Sequence, residues 1–203
     1  MNFTCLSPTI RLDSSSNGKV MTPAEFDAVT EFDDAFDYEL IHGVVVVNPI
    51  PEEAESDPND ELGYLLRHYR STHSQGWHLD RTLPERYVQT IDSRRRADRV
   101  IWTGLGHAPD PQSDTPTIVI EFVSARKRDR LRDYVEKRTE YLAIGVREYW
   151  IIDRFDRTMT VIRSNETDLV IREQDVYRTP LLPGFELPLH RLIAAADDWK
   201  SAK

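Results

Sequence analysis

The sequence is poor in cysteine, in long apolar runs and in excess positive charge. The one cysteine, Cys5, has no partner within the chain, so no internal disulfide is expected and a cytoplasmic location is the default prediction. No apolar run approaches the length of a membrane span, and residues 1–20 lack the features of a secretory signal. The net charge of −9 argues against a protein that coats nucleic acid in general.

Several catalytic motifs are absent as well. There is no glycine-rich phosphate loop and no dinucleotide fingerprint, which disfavours an ATPase or a dehydrogenase and predicts no nucleotide cofactor. The six histidines form no helical metal-binding pair, and Ser124 lacks the glycines of a nucleophile elbow. What is present is a composition of 39% hydrophobic and 30% charged residues over 203 positions, enough for one domain with a real core.

The order of the predicted elements indicates an α/β fold with a mixed β-sheet flanked by helices. We expect a flexible N-terminal tail over residues 1–20, a single domain over 21–196 and a C-terminal tail over 197–203. The pattern of residues 118–153 predicts a strand, a helix and a second strand. A right-handed crossover through the helix makes the two strands parallel.

Periodicity and turn residues predict the remaining elements. They are a helix capped by Thr22 that runs to about Phe32, a hairpin around His42-Gly43, an acidic loop over Glu52–Asp60, a helix over Glu61–Tyr69, strands over Trp77–Leu83, Glu85–Ile91 and Ala97–Trp102, a helix from about Asp129 to Ile144, a strand over Glu148–Asp153 and a hairpin formed by Met159–Arg163 and Asp168–Glu173.

Glu121 is the most unusual residue, because it is a lone acid inside an apolar strand. Five of the six residues from Ile118 to Val123 are apolar, and most are β-branched or aromatic, as in a strand that is covered on both faces. A charge in such a strand is costly unless it is paired or binds a metal ion. A buried salt bridge to a nearby arginine is the structural alternative.

Four further side chains are candidates to act with Glu121. Asp98 begins another apolar run, and a solvent-facing carboxylate is the alternative interpretation for it. Asp133, Lys137 and Tyr141 are spaced i, i+4 and i+8 on the following predicted helix, so they share one stripe. For Lys137, the alternative is an ordinary Asp–Lys helix pair worth about 0.3–0.5 kcal/mol.

Two carboxylates and a lysine suit metal-assisted hydrolysis of a phosphodiester. The oxygens of Asp98 and Glu121 are the hard ligands that Mg²⁺ or Mn²⁺ prefers. Such a metal polarises the phosphate and lowers the pKa of a bound water. A lysine ammonium, here Lys137, can orient the nucleophile or stabilise the transition state.

Basic residues flank both suspected metal-binding acids. Each basic run alone is ordinarily a solvated face, but together they point to a surface that faces phosphate. The residues expected to contact a nucleic-acid backbone are Arg94, Arg95, Arg96, Arg126, Lys127 and Arg128.

Several segments in combination carry a family resemblance: Tyr38-Glu-Leu-Ile-His-Gly43, Ala97-Asp98, Ile120-Glu-Phe-Val-Ser124, the row Asp133, Lys137 and Tyr141, Gly145-Val-Arg-Glu-Tyr-Trp-Ile-Ile-Asp153, and Leu182-Pro-Gly-Phe185. They resemble the Uma-two (Uma2) family of restriction-endonuclease-like proteins. That family is a domain of unknown function within the PD-(D/E)XK nuclease superfamily. The resemblance covers about residues 20–195.

The resemblance implies a restriction-endonuclease-like α/β core and assigns roles within it. Asp98 and Glu121 match the metal-binding acids, and Lys137 matches a catalytic lysine relocated to the helix. Glu39 matches a further acid that we expect in the catalytic set. A tyrosine near the active site matches Tyr141, and Asp133 is expected to support Lys137.

Three functions are compatible with these observations. The first is a Mg²⁺- or Mn²⁺-dependent DNA endonuclease, for which a homodimer is a plausible assembly because cutting two strands often uses two sites. The second is a nucleic-acid-binding module that has lost catalysis, which the acidic segment and the net charge favour. The third is a structural or regulatory protein in which Asp98, Glu121 and Lys137 form a buried ion-pair network.

Overall fold

A computed structural model describes residues 10–124 and 132–199. These residues form two compact units. The first unit contains residues 10–50 and 89–95, and the second contains 51–88, 96–124 and 132–199. The division into one domain over 21–196 with a tail on each side stays a prediction.

The first unit is built around a β-hairpin. Its elements are β1 (Arg11–Leu12), a 3₁₀ turn (Ser14–Ser16), α1 (Pro23–Asp27), β2 (Glu31–Phe32), β3 (Phe36–Ile41) and β4 (Val44–Pro49). Strands β3 and β4 pair antiparallel across His42 and Gly43, which take positive φ angles of 49° and 77°. Two successive positive φ values match the right-handed twist of a tight hairpin, so the predicted turn is confirmed.

Helix α1 begins as predicted and ends sooner. The Thr22 hydroxyl accepts a hydrogen bond from the Glu25 backbone, the Glu25 carboxylate accepts one from the Thr22 backbone, and Pro23 opens the helix. The expected extension to Phe32 is wrong, because Glu31 and Phe32 pair with β1 as a parallel strand. Pairing with a segment distant in sequence outweighs local helix propensity here.

The second unit holds the larger sheet and the longer helices. Its elements are α2 (Glu53–Thr72), a 3₁₀ turn (Gly76–His78), β5 (Leu79–Gln89), β6 (Arg94–Thr103), β7 (Ile118–Phe122), a π-helical segment (Arg132–Lys137), α3 (Arg138–Ala143), β8 (Glu148–Asp153), β9 (Thr158–Ile162), β10 (Leu169–Arg172), β11 (Val176–Tyr177), β12 (Leu187–Pro188) and α4 (Leu189–Asp198). The last residue of β5, Gln89, and the first two residues of β6, Arg94 and Arg95, belong to the first unit.

The sheet of the second unit is mixed, as the sequence predicts. Its order is β10–β9–β8–β7–β6, and β5 pairs with β6. Strands β7 and β8 are parallel, with Glu121 opposite Ile151, whereas β6 and β9 run antiparallel to their neighbours. The predicted parallel crossover and the hairpin of β9 and β10 are therefore confirmed.

Each face of this sheet has its own apolar core, because side chains alternate along a strand. One core contains Ile118, Ile120 and Phe122 and packs against apolar residues of α2 and α4. The other contains Val119 and Val123 and packs against Tyr141 of α3. Glu121 shares the parity of Val119 and Val123, so its carboxylate points to the face that α3 covers.

The expected loop over Glu52–Asp60 is wrong, because most of it is the first half of α2. Pro58 lies within α2, although proline removes one backbone hydrogen-bond donor from a helix and so disfavours it. Acidic residues in the first turn, Glu53 and Glu55, favour the helix through its dipole. Burial of Leu62 and Leu66 in the core adds stabilisation that a local reading of the acidic segment misses.

Strand β5 replaces the two short strands that were predicted around Pro84. The chain passes Pro84 without ending the strand, and Glu85 takes a positive φ of 49°. In the part of the chain that the structure describes, no helix has the length and apolar character needed to cross a bilayer.

Candidate active site

Asp98 is the most accessible acid of the candidate site. It lies on β6, and its Oδ2 atom accepts a hydrogen bond of 2.6 Å from the backbone N–H of Phe122 on β7. Burial raises the pKa of the Asp98 carboxyl to about 7, and the nearby Asp133 and Glu55 add to the rise, while Lys137 and the Phe122 N–H oppose it. The carboxyl of Asp98 is thus poised between its two protonation states near neutral pH.

Glu121 lies in the middle of β7 and is held at both carboxylate oxygens. Its Oε2 is 2.8 Å from the Lys137 ammonium, and its Oε1 accepts a hydrogen bond of 3.1 Å from the Tyr141 hydroxyl. Burial raises the pKa of Glu121 well above its usual range, and the charges of Asp98 and Asp133 raise it further against the opposing effect of Lys137.

Lys137 reaches this carboxylate from the π-helical segment. Its ammonium is also 3.5 Å from Asp133 Oδ1 and donates to the backbone carbonyl of Arg96 at 3.3 Å. Only 3% of the Lys137 side chain is exposed, and only 4% of Glu121. π-Helical turns are frequent at functional sites, but no signal in the sequence predicts this one.

The structure brings five predicted site residues together in the second unit. They are Asp98, Glu121, Asp133, Lys137 and Tyr141. Sequence reasoning missed two neighbours that support them. Asn59 of α2 donates to the Asp98 backbone carbonyl at 2.8 Å, and the Tyr149 hydroxyl donates to the Asp133 carbonyl at 3.0 Å.

Nothing in the sequence indicates that Asn59 contacts Asp98, because Asn59 lies in the segment that was expected to be a loop. Tyr149 belongs to the apolar core that contains Val119 and Val123. It is buried there, and its ring meets that of Tyr141 edge to face with the centroids 5.1 Å apart.

Neighbouring carboxylates act on the charge of Glu121. Burial raises the pKa of Glu121 most, and repulsion from Asp98 and Asp133 raises it further. A divalent cation would reverse that repulsion. Among the described residues, no group of three His, Cys, Asp or Glu side chains is arranged to hold a metal. Two carboxylates, with water and phosphate oxygens, are a ligand set that Mg²⁺ commonly accepts.

The predicted phosphate-binding arginines have different surroundings. In the first unit, Arg94 pairs with Asp27 through Nε and a terminal nitrogen, at 2.8 and 2.7 Å, and Arg95 is fully buried. This burial favours a structural role for Arg94 and Arg95. In the second unit, Arg96 is partly exposed and pairs with Glu85. Arg126, Lys127 and Arg128 lie outside the described residues.

Glu39 belongs to the first unit and is buried on β3. Its Oε2 accepts a hydrogen bond of 3.2 Å from the Asn48 side chain on β4. The catalytic role of Glu39 stays a prediction.

A pH dependence of stability follows from the raised pKa of Asp98. Between about pH 4 and 7 the folded protein holds a proton on Asp98 that the unfolded chain has lost, so the free energy of unfolding falls as pH rises through this range. The contribution is at most about 4 kcal/mol. Urea unfolding of the metal-free protein in EDTA at several pH values measures it. The substitution Asp98→Asn keeps an acceptor for the Phe122 N–H and should remove that part of the slope, so an unchanged slope would contradict the prediction.

Comparisons with known proteins bear on the family and the fold. A family model described as "Putative restriction endonuclease" (Uma2) matches residues 23–190. The crystal structure of a "putative nuclease belonging to DUF820" from Anabaena variabilis ATCC 29413 is similar, with a TM-score of 0.70 at 17% identity, over 87% of this chain and 99% of that one. This likeness confirms the predicted fold class. No curated protein matches the chain.

Proposed function

Because the chain belongs to the Uma2 family, we propose that it is a metal-dependent DNA endonuclease that hydrolyses phosphodiester bonds. The family description supports a nuclease-like function, and the metal dependence and the DNA substrate are the parts that we add. The observation that carries them is the meeting of Asp98, Glu121 and Lys137 on adjacent strands and the following helix. Two carboxylates beside a lysine suit a metal ion and a phosphate.

Asp98 and Glu121 would hold Mg²⁺ or Mn²⁺. Asp98 keeps some exposed surface, and its Oδ1 accepts no hydrogen bond from the described part of the chain. When bound, the metal would polarise the phosphate and lower the pKa of a water molecule. The Phe122 N–H holds the Asp98 carboxylate in place, and the Tyr141 hydroxyl does the same for Glu121.

Lys137 supplies the fixed positive charge of the mechanism. Contacts with Glu121, Asp133 and the Arg96 carbonyl hold its ammonium in one position. A charge that is already oriented stabilises negative charge developing on the phosphate without reorganisation during the reaction. Asp133 supports Lys137, and Glu39 is proposed as a further acid of the catalytic set.

DNA binding would use the partly exposed Arg96 together with Arg126, Lys127 and Arg128. A homodimer would place two sites on the two strands of a duplex, and the cytoplasm remains the proposed location. These assignments rest on the family membership and on the clustering of basic residues next to the acids.

Nicking of supercoiled plasmid tests the proposal directly. Purified protein should convert supercoiled plasmid to the open-circular form with Mg²⁺ or Mn²⁺, and EDTA should stop the reaction. Cleavage that persists in EDTA would contradict the metal requirement. Salt-sensitive DNA binding without cleavage under either metal would instead favour the inactive binding module.

One observation favours a structural alternative. The contact between Lys137 and Glu121 is almost completely buried, as in an ion pair that serves folding. In that case crystals soaked in Mn²⁺ would show no anomalous peak beside Asp98 and Glu121. A peak at those two carboxylates would support the nuclease.

A further inference from the structure

A second set of polar groups lies on the opposite face of the sheet from the candidate active site. Asp98 and Arg99 are consecutive on β6, so their side chains point to opposite faces. Arg99 lines a cavity of about 490 Å³ next to α2. An adjoining cavity of about 450 Å³ shares Arg67 and Ser71 with it. We call the two together the α2 groove, which is lined principally by Tyr64, Arg67, His68, Arg70, Trp77 and Arg99.

Arg99 is a buried cation with spare hydrogen-bond donors. It is 2% exposed, and its guanidinium donates to the Asn59 side chain at 2.7 Å, the Asn59 carbonyl at 2.8 Å and the Thr82 hydroxyl at 3.3 Å. A guanidinium has five N–H groups. Two of these N–H groups therefore have no partner among the described residues, and Arg99 borders the cavity. Such a group is suited to an anion.

The helix above Arg99 leaves space for this guanidinium. Gly63 lies inside α2, and a Cβ atom there would be 2.7 Å from a terminal nitrogen of Arg99. Glycine is unfavourable within a helix. Its presence at this point lets the charged group lie directly beneath the helix at the edge of the cavity.

Aromatic rings border the groove and are open to solvent. The Tyr64 side chain is 55% exposed and stacks with His68 at a centroid distance of 5.8 Å. Trp77 is 69% exposed and stacks on His78 at 3.8 Å. Exposed rings beside arginines are the combination with which proteins bind unpaired bases.

The lining of the α2 groove is positive although the whole chain is negative. Asp60 is the only acid among its described lining residues, against Arg67, Arg70 and Arg99. Arg67 makes no hydrogen bond or ion pair with any residue that the structure describes, and Arg70 donates from Nε to the Leu79 carbonyl. Phosphate would thus meet guanidinium groups that form no ion pair with a described carboxylate, although the charge of Asp60 acts on Arg99.

We propose that the α2 groove binds a single-stranded nucleic-acid segment of two or more nucleotides. Arg99 and Arg67 receive phosphates, and the rings of Tyr64 and Trp77 receive bases. Two adjoining cavities with one ring at each favour a strand over a free mononucleotide. The inference rests on the proposed nuclease function and extends its substrate to nucleic acid with an unpaired segment.

Fluorescence anisotropy with a labelled ten-nucleotide oligo(dT) in EDTA tests this inference. Tyr64→Ala should weaken binding by about fivefold to a hundredfold, the range for losing one stacked base. Arg67→Ala should lower the salt slope of binding by about one. Arg172→Ala, which removes an exposed arginine on β10, is the matched control and should change the affinity less than about twofold.

Three results would overturn the inference. They are equal affinity of wild type and both groove variants, dTMP binding as tightly as the oligonucleotide, and tighter binding of duplex than of single strand. EDTA prevents metal-dependent cleavage, so the anisotropy measures binding alone. Failure of the groove inference is thus distinguishable from failure of the nuclease proposal, which the plasmid assay tests separately.

Discussion

Substitution of Glu121 by glutamine is expected to reduce metal-dependent plasmid nicking on the order of 10³-fold or more, because the site loses one of its two proposed metal-binding carboxylates. The fold should survive, since glutamine has the same shape: its amide oxygen can accept from Lys137, and its NH2 group can donate to the Tyr141 hydroxyl oxygen. Initial rates of nicking at saturating Mn²⁺, with far-UV circular dichroism as the test of folding, measure both parts.

Glu186→Gln is the control for this prediction, because Glu186 is exposed and pairs with Arg178 at the surface. The control should nick at the wild-type rate. Glu121→Gln protein that folds and cleaves at a rate within about tenfold of the control would remove Glu121 from the proposed catalytic set.

Substitution of Lys137 by methionine is expected to cost both stability and activity. It removes the ammonium that contacts the buried carboxylate of Glu121, and breaking a buried pair by removing one partner typically costs about 3–5 kcal/mol. The loss of stability should be larger at about pH 8 than at pH 5. At pH 5, Glu121, whose pKa is already raised, takes up a proton more readily, and a neutral carboxyl needs no cation. Urea unfolding in EDTA at both pH values measures it.

A double-mutant cycle separates the ion pair from the loss of packing. The variant Glu121→Gln/Lys137→Met removes both charges, so it should be more stable than the sum of the two single losses predicts. Additive losses, equal at both pH values, would mean that Lys137 stabilises the fold through its aliphatic chain and not through its charge.

Nicking by the Lys137→Met protein should fall by about 10²–10³-fold.

Local patterns predicted much of the fold, and their failures have a common cause. The helix cap at Thr22, the turn at His42-Gly43 and the parallel crossover from Ile118 to Asp153 depend on neighbouring residues or on handedness, and all are confirmed. The segment over Glu52–Asp60 reads as a loop by composition. It is helical in the structure because burial further along α2 outweighs its polar character.

The candidate site shows the same division. An acid in an apolar strand was enough to single out Glu121, and the i, i+4, i+8 spacing linked Asp133, Lys137 and Tyr141. Neither pattern predicted that Asn59 would support Asp98 from α2, or that Arg94 would be paired with Asp27. These contacts join residues separated by 39 and 67 positions, so no local signal could carry them.

The sequence by itself determined the type of sheet, the strand that carries Glu121 and the family, because periodicity, handedness and short motifs are properties of the chain alone. Only the tertiary structure decided that the Lys137 ammonium reaches the Glu121 carboxylate, that Asp98 titrates near neutral pH and that Arg99 is buried with donors to spare. The physical reason is that charge interactions and desolvation depend on distance and burial, and both are set by packing between elements that are far apart in the sequence.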